Sequence, residues 1–270
     1  MDGALSVTIG IVGAGSMGGS IARGLVDAGV VAPGRLLVAD HEAEKLAPFA
    51  ELGARVFADG RALVDERPDV VVLAVKPQVL GDVMQACAPG LAGRLVISIA
   101  AGVPICAIEA ALPGARVVRA MPNLPVQVRS GATALAAGSL ATSDDLELAR
   151  TAFAALGAAF VMREDQLDVS GAVVGTAPAF FSLFVDTLTR AGVRAGLPAQ
   201  ACRELLETTM RGCAEQLLAE GVHPRAYMER VTSPGGTTAA ALRELEPLIA
   251  AGSEEAVDAA LARTRELAEG

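Results

Sequence analysis

The chain has 270 residues, with 22 lysines and arginines against 31 aspartates and glutamates and a formal net charge of −9. That balance argues against nucleic acid and anionic membrane surfaces as partners, and the length allows two modest domains. Hydrophobic residues make up 52% of the chain; no apolar run is expected to reach a membrane span, so the excess points to a subunit interface.

From the N-terminus, the apolar stretch 7–12 follows no basic segment and runs straight into glycines. It reads as a strand rather than a secretory leader, and the cytoplasm is the expected location. Helical spacing follows over 16–28, a strand over 35–39 ending at Asp40, and a helix over 42–51. Near-continuous apolar runs at 70–75 and 95–99 fit parallel strands buried on both faces. A further strand is expected at 116–120, and possible strands at 133–137 and 159–162 flank a helix over 143–156. This alternation predicts an α/β fold with a doubly wound parallel sheet of the dinucleotide-binding type, over residues 1–163.

From 164 to 270 the strand signals stop. Helices are expected over 178–195, 198–220, 239–250 and 254–268, making an all-α second domain. Pro178 and Pro198 fall where helix starts tolerate proline. The first of these helices carries Phe180, Phe181, Phe184, Val185 and Leu188, an apolar circumference that a partner subunit would bury. The four cysteines, Cys87, Cys106, Cys202 and Cys213, show no CxxC spacing and read as buried reduced thiols. With two histidines far apart, His41 and His223, local spacing assembles no metal site.

Gly13-Ala14-Gly15-Ser16-Met17-Gly18 is a G-x-G-x-x-G fingerprint that follows a strand and opens a helix. Gly13 permits a tight turn, Gly15 lets backbone approach a pyrophosphate, and Gly18 lets the helix pack on the sheet. Asp40 reads either as an acceptor for an adenosine ribose, a lean toward NADH over NADPH, or as a loop or helix-capping acid. His41 offers a 2′-phosphate only weak help. The crevice beyond the strand ends should also take in Ala74, Val75, Lys76 and Pro77, then Ala100 and Ala101. Lys76 reads as a surface or ribose-contacting lysine more readily than as a catalytic base. Asn123 is placed to fix a nicotinamide or a substrate.

Near the other end stands Val231-Thr232-Ser233-Pro234-Gly235-Gly236-Thr237-Thr238, hydroxyls around a Pro-Gly-Gly turn ahead of an apolar helical pattern. Backbone N–H groups, hydroxyls and a helix N-terminus make a cradle for a small carboxylate. Absences narrow the chemistry. The lysines are Lys45 and Lys76 alone, and Tyr227, the single tyrosine, has Val231 four residues later. A carbonyl reductase needs a positioned acid for the alkoxide that hydride creates, and neither a second-half lysine nor a Tyr-x-x-x-Lys pair is available. His223, followed by Pro224, suits a loop or helix start. A cyclic imine has no such need, because hydride addition to its protonated form yields a neutral amine, and positioning supplies much of the rate.

The stretches IGIVGAGSMG, LAVKPQ, VISIAAGV, VRAMPNLP and VTSPGGTTAAAL run nearly the length of the chain. With them the sequence resembles the pyrroline-5-carboxylate reductase family. The resemblance implies NAD(P)H-dependent reduction of L-1-pyrroline-5-carboxylate to L-proline. It implies homodimers through the helical domain, often assembled into decamers. It also implies that Ser233, Gly235, Gly236 and Thr237, beside Val231, receive the substrate carboxylate, while Thr238 hydrogen-bonds the ring nitrogen. Val174, Ala177, Phe180, Val222, Met228 and Glu229 depart from the family's usual residues, mostly toward apolar or bulkier ones. They leave open a paralogue acting on a substituted or six-membered imine. A non-catalytic NAD-binding regulator is the third reading.

Overall fold

The structure, a computed structural model, describes residues 5–269, with side chains through 266. By the density of internal contacts the described chain separates into two compact units, 5–176 together with 261–269, and 177–260.

The first unit is built on one eight-stranded sheet in the order β3-β2-β1-β4-β5-β6-β7-β8. Its strands are β1 (Ile9–Val12), β2 (Leu36–Ala39), β3 (Arg55–Phe57), β4 (Val70–Leu73), β5 (Leu95–Ser98), β6 (Arg116–Pro122), β7 (Gly131–Ala137) and β8 (Gly157–Val161). β1, β2, β4 and β5 are buried at every position. Two apolar layers explain why: α1 (Ser16–Asp27), α2 (Ala43–Glu51) and α6 (Ser143–Ala154) cover one face. The other is covered by α3 (Gly60–Asp65), α4 (Pro77–Leu91), α5 (Ile105–Ala111) and α7 (Glu164–Ser170). Each fully buried Val, Leu or Ile contributes about 1.5–3 kcal/mol to that arrangement.

β1 lies between β2 and β4, both parallel to it, so the crossovers leave β1 in opposite directions and open a crevice beyond its carboxyl end. The expected doubly wound parallel sheet forms, with one antiparallel seam where β7 pairs with β6. Only residues 123–130 separate these strands, much of them in a 3-10 turn at Leu124–Val128. That is too short for the crossover a parallel pair requires. β3, α3, α4, α5 and α7 were not among the sequence-based expectations.

The second unit contains α8 (Ala177–Arg194), α9 (Ala199–Glu220) and α10 (Pro224–Arg230). α8 and α9 pack as a hairpin, with Gly192 against the buried Cys202. The two helices expected over 239–250 and 254–268 are one helix, α11 (Thr237–Glu269), with Pro247 inside it. No turn residue follows Pro247 closely enough to stop it, and Gly252 and Ser253 are carried as helix. A π-helical turn, Gly171–Gly175, joins α7 to α8. The helical stretch Glu164–Arg194 is long and apolar enough to cross a membrane by length and composition, contrary to the sequence-based expectation. Its apolarity is that of an uncovered packing face, with Phe180, Phe181 and Leu183 40–61% exposed in the single chain.

The cysteines are free, but not uniformly buried. Cys87 and Cys202 are buried, Cys213 is half-buried and Cys106 is exposed, at the start of α5. Burial pushes the Cys87 thiol up to about 11. At pH 8 a thiol reagent should therefore modify Cys106 rapidly and Cys87 only after unfolding, an order that peptide mapping of the labelled protein would reveal.

The entry to β1 is clasped to the entry to β4. Asp69 Oδ2 accepts from the Thr8 N–H (2.7 Å) and the Thr8 hydroxyl (2.8 Å), and the Asp69 N–H donates back to Thr8 Oγ1 (3.0 Å). The backbone hydrogen bond from Thr8, helped by its hydroxyl and by Arg94 and Arg35, holds the Asp69 carboxyl below its ordinary value. A carboxylate with a depressed folded pKa contributes stability above its unfolded pKa and loses it as pH falls through the folded one. Asp69→Asn should cost about 0.5–1 kcal/mol at neutral pH, the low end because the site is exposed. The difference from the parent protein should vanish in strong acid, as urea unfolding at the two pH values would show.

Candidate active site

The glycine turn leaves β1 with its ladder intact. The Gly13 N–H donates to the Ala39 carbonyl and the Ala74 N–H to the Val12 carbonyl, each at 2.8 Å. Gly13 has φ +102°, and a Cβ there would stand 2.7 Å from the Ala74 carbonyl oxygen, so the position excludes a side chain twice over. Gly18 presses α1 against the turn, because a Cβ on it would collide with the Gly13 carbonyl and the Ala74 methyl. Gly15, by contrast, faces open space. It is the N-cap of α1 and supplies no side-chain cap. Among the described residues, no acceptor meets the N–H groups of Ser16, Met17 and Gly18, and this uncapped N-terminus is where an anion is stabilised.

Asp40 lies at the carboxyl end of β2, next to this turn. Its Oδ2 accepts from the Ala14 N–H (2.8 Å) and its Oδ1 from the Glu42 N–H (3.0 Å). The side chain is 6% exposed. Both oxygens thus accept from backbone, and the carboxylate binds the glycine turn to the loop after β2. Asp40, His41 and Glu42 also bring three ligand-type atoms within 4.8 Å of one another, a local cluster the sequence reading did not anticipate. Lys45 Nζ is 2.5 Å from Glu42 Oε1 and 4.0 Å from Asp40 Oδ1. The hydrogen bond that Lys45 donates to the Glu42 carboxylate holds its ammonium above its usual pKa.

The remaining strand ends behave as their small residues suggest. Ala74 and Val75 are half-buried, and exposed Lys76 is the N-cap of α4, with Pro77 as its first residue. The Lys76 ammonium makes no hydrogen bond or ion pair among the described residues, while its carbonyl accepts from the Val79 N–H (3.1 Å). Ala100 is buried and Ala101 exposed at the end of β5. Asn123, 9% exposed, ends β6 with both ends of its amide occupied. Its Oδ1 accepts from the Ala132 N–H (2.8 Å) and its Nδ2 donates to the Val174 carbonyl (3.3 Å), in the π-helical turn. That carbonyl contact escaped the sequence reading, which weighed only the Val174 side chain. So did the buried Arg119, whose guanidinium meets Asp168 at 2.5 Å and Glu164 at 3.6 Å on α7 and so holds α7 against β6.

A groove of about 510 Å³ opens from the glycine turn, lined by Gly15, Ser16, Arg23, Lys45, Gln127 and Arg129 among others. Its basic residues come from α1, α2 and Arg129 at the end of the 3-10 turn, a grouping that no local motif announces.

In the second unit, α10 stops at Val231, and the Thr232 hydroxyl donates to the Met228 carbonyl (2.6 Å). The chain then turns at Gly235, φ +69°, where the Gly236 N–H donates to the Ser233 carbonyl (3.0 Å). Thr237 opens α11. Among the described residues, the hydroxyls of Ser233, Thr237 and Thr238 and the N–H groups of Thr237, Thr238 and Ala239 have no intramolecular partner. Ser233, Gly235 and Thr237 are exposed and Thr238 is half-buried. These residues make a second uncapped helix N-terminus, rimmed with hydroxyls.

Residues 164–267 match the family model described as pyrroline-5-carboxylate reductase dimerisation, and residues 8–102 the one described as NADP oxidoreductase, coenzyme F420-dependent. The chain is 37% identical to a pyrroline-5-carboxylate reductase of Methanosarcina acetivorans, over 96% of this chain and 97% of that one. The chain belongs to the pyrroline-5-carboxylate reductase family. Solved structures of the family agree. A Coxiella burnetii member matches with a TM-score of 0.91 at 34% identity, covering 97% of this chain and 99% of that one. A Plasmodium falciparum pyrroline carboxylate reductase with NADP bound matches at 0.88 and 26% identity, covering 98% and 100%. The family's NAD(P)H fits the residues here, because the open Gly15 backbone and free α1 N-terminus leave room and donors for a pyrophosphate.

If Asp40 is a brace for the turn, Asp40→Ala should weaken NADH and NADPH binding alike, by about tenfold each. Fluorescence titration of the two coenzymes would measure it. A change confined to one of them would instead mark Asp40 as a direct ribose contact.

Proposed function

We propose that the protein is a cytoplasmic reductase that converts L-1-pyrroline-5-carboxylate to L-proline at the expense of NAD(P)H. The observation that carries this reading is the pair of uncapped helix N-termini. One follows the glycine turn at Gly13–Gly18 and suits a dinucleotide pyrophosphate. The other follows Ser233–Gly236 and suits a small carboxylate.

A bound NAD(P)H would supply the hydride that reduces the imine. The chain's own residues position the partners. Ser233, Gly235, Gly236 and Thr237, with Val231 beside them, hold the substrate carboxylate by hydroxyl and N–H donors. Thr238, one residue into α11, hydrogen-bonds the ring nitrogen. Ser16, Met17 and Gly18 hold the pyrophosphate, and Ala74, Val75, Lys76, Pro77, Ala100 and Ala101 line the coenzyme crevice. Asn123, braced through Ala132 and Val174, stands at the end of β6 to steady the nicotinamide. No lysine or tyrosine acid is required, because the substrate nitrogen takes its proton from water before hydride addition.

Residues 1–163 bind the coenzyme and 164–270 form the helical domain. Through the exposed apolar residues of α8 the latter pairs with a second copy, and such dimers suit assembly into decamers. The exposed phenylalanines favour this over a membrane, since Asp186, Arg190 and Arg194 lie on the same helix. No observation favours the alternatives of a different imine or an idle scaffold.

Steady-state oxidation of NADH and NADPH with L-1-pyrroline-5-carboxylate tests the proposal directly, and turnover with neither would overturn it. Thr238→Ala should lower kcat by more than about tenfold while coenzyme affinity stays nearly constant, because it removes an interaction that orients only the reacting ring. An unchanged rate would remove Thr238 from the mechanism.

A further inference from the structure

The corner at the carboxyl end of β2 is where a dinucleotide on the glycine turn presents its adenosine ribose. Asp40 is spent there on backbone N–H groups. The side chains still facing solvent are His41, Glu42 and Lys45, at 85%, 52% and 37% exposure. The groove that starts at Gly15 and Ser16 reaches Lys45 and Arg23, so the adenosine end of a bound coenzyme has a floor leading to both cations. Arg23 stacks on the Phe49 ring (5.7 Å) and stays in the groove.

The charges around this space nearly cancel. Arg23, Lys45 and Arg129 face Asp27 within the groove, and beside it Glu42 and Asp40 lie 2.5 and 4.0 Å from the Lys45 ammonium. Lys45 already donates to Glu42 at 2.5 Å. A ribose hydroxyl entering here meets a carboxylate acceptor. A phosphomonoester carrying about −1.5 to −2 charges meets that same carboxylate, with the nearest ammonium already engaged.

We propose that the Glu42–Lys45 pair sets this chain's coenzyme choice: Glu42 selects NADH by accepting from the ribose, and by holding Lys45 it keeps shut a 2′-phosphate site that Lys45 and Arg23 would otherwise form. The proposal rests on the reading of the glycine turn as an NAD(P)H site and goes beyond it by assigning the discrimination to one ion pair. Specificity here is a difference of two affinities, created mainly by the repulsive partner.

The test is calorimetric binding of NADH and of NADPH, without imine, to the full-length protein and to two variants. The parent should bind NADH about fivefold or more tighter than NADPH. Glu42→Ser should reverse the order, tightening NADPH about tenfold and weakening NADH about threefold, with the NADPH gain shrinking as salt rises. Adding Lys45→Ala to Glu42→Ser should cancel the NADPH gain, since the two residues act through one contact. A parent that prefers NADPH or shows no preference, a Glu42→Ser variant with an unchanged ratio, or a gain that survives loss of Lys45 would each overturn the proposal. Binding of neither coenzyme would overturn it together with the reading of the turn. Binding without turnover would strike the imine reading alone and leave this proposal to be judged by its ratios.

Discussion

One carboxylate organises the coenzyme half. Asp40 joins the Ala14 N–H of the glycine turn to the Glu42 N–H of the next loop, and a hydrogen bond to an ionised acceptor is among the stronger kinds. With the turn so fixed, Gly13 abuts Ala74 and Gly18 abuts Gly13, and α1 has no freedom to drift outward. Its free N–H groups then point at one place instead of sampling many, and the ordering cost of anion binding is met on folding.

The second uncapped helix N-terminus is braced differently. No acid holds the turn at Ser233–Gly236. It is closed by the Thr232 hydroxyl on the Met228 carbonyl and the Gly236 N–H on the Ser233 carbonyl. Nearby negative charge would oppose a carboxylate ligand, and the first turn of α11 carries none. At the first turn, by contrast, an acid is part of the bracing: the Asp40 carboxylate accepts from the Ala14 and Glu42 N–H groups.

Much of this was legible in the sequence because the signals were local. Strand runs such as 70–75, the G-x-G-x-x-G turn and the Pro-Gly-Gly cradle each declare themselves within ten residues, and their elements formed within a few residues of the expected ends. What escaped was set by distant partners. β3, with Arg55 and Val56 exposed, has no apolar run to announce it and exists because β2 offers an edge. The reversal of β7 follows from the brevity of the preceding connection. Asp40's commitment to backbone depended on where Ala14 fell, and the groove around Lys45 collects residues from three separated elements. The break expected at 251–253, around Gly252, does not occur, since a single glycine lowers helix propensity by only about 1 kcal/mol and good helix formers flank it.

The scarcity of lysine acquires a spatial meaning once the fold is known. Lys45 borders the groove at the glycine turn, and Lys76 caps α4 at the carboxyl end of β4. Both ε-amines therefore sit on the rim beyond the carboxyl ends of β2 and β4, and the other basic side chains, two histidines aside, are guanidinium groups inert to acylating agents. Metabolic acyl donors that modify ε-amines would find their targets almost wholly at that rim. For this chain, nonenzymatic acylation would act less as diffuse surface damage than as chemical wear concentrated on one functional edge.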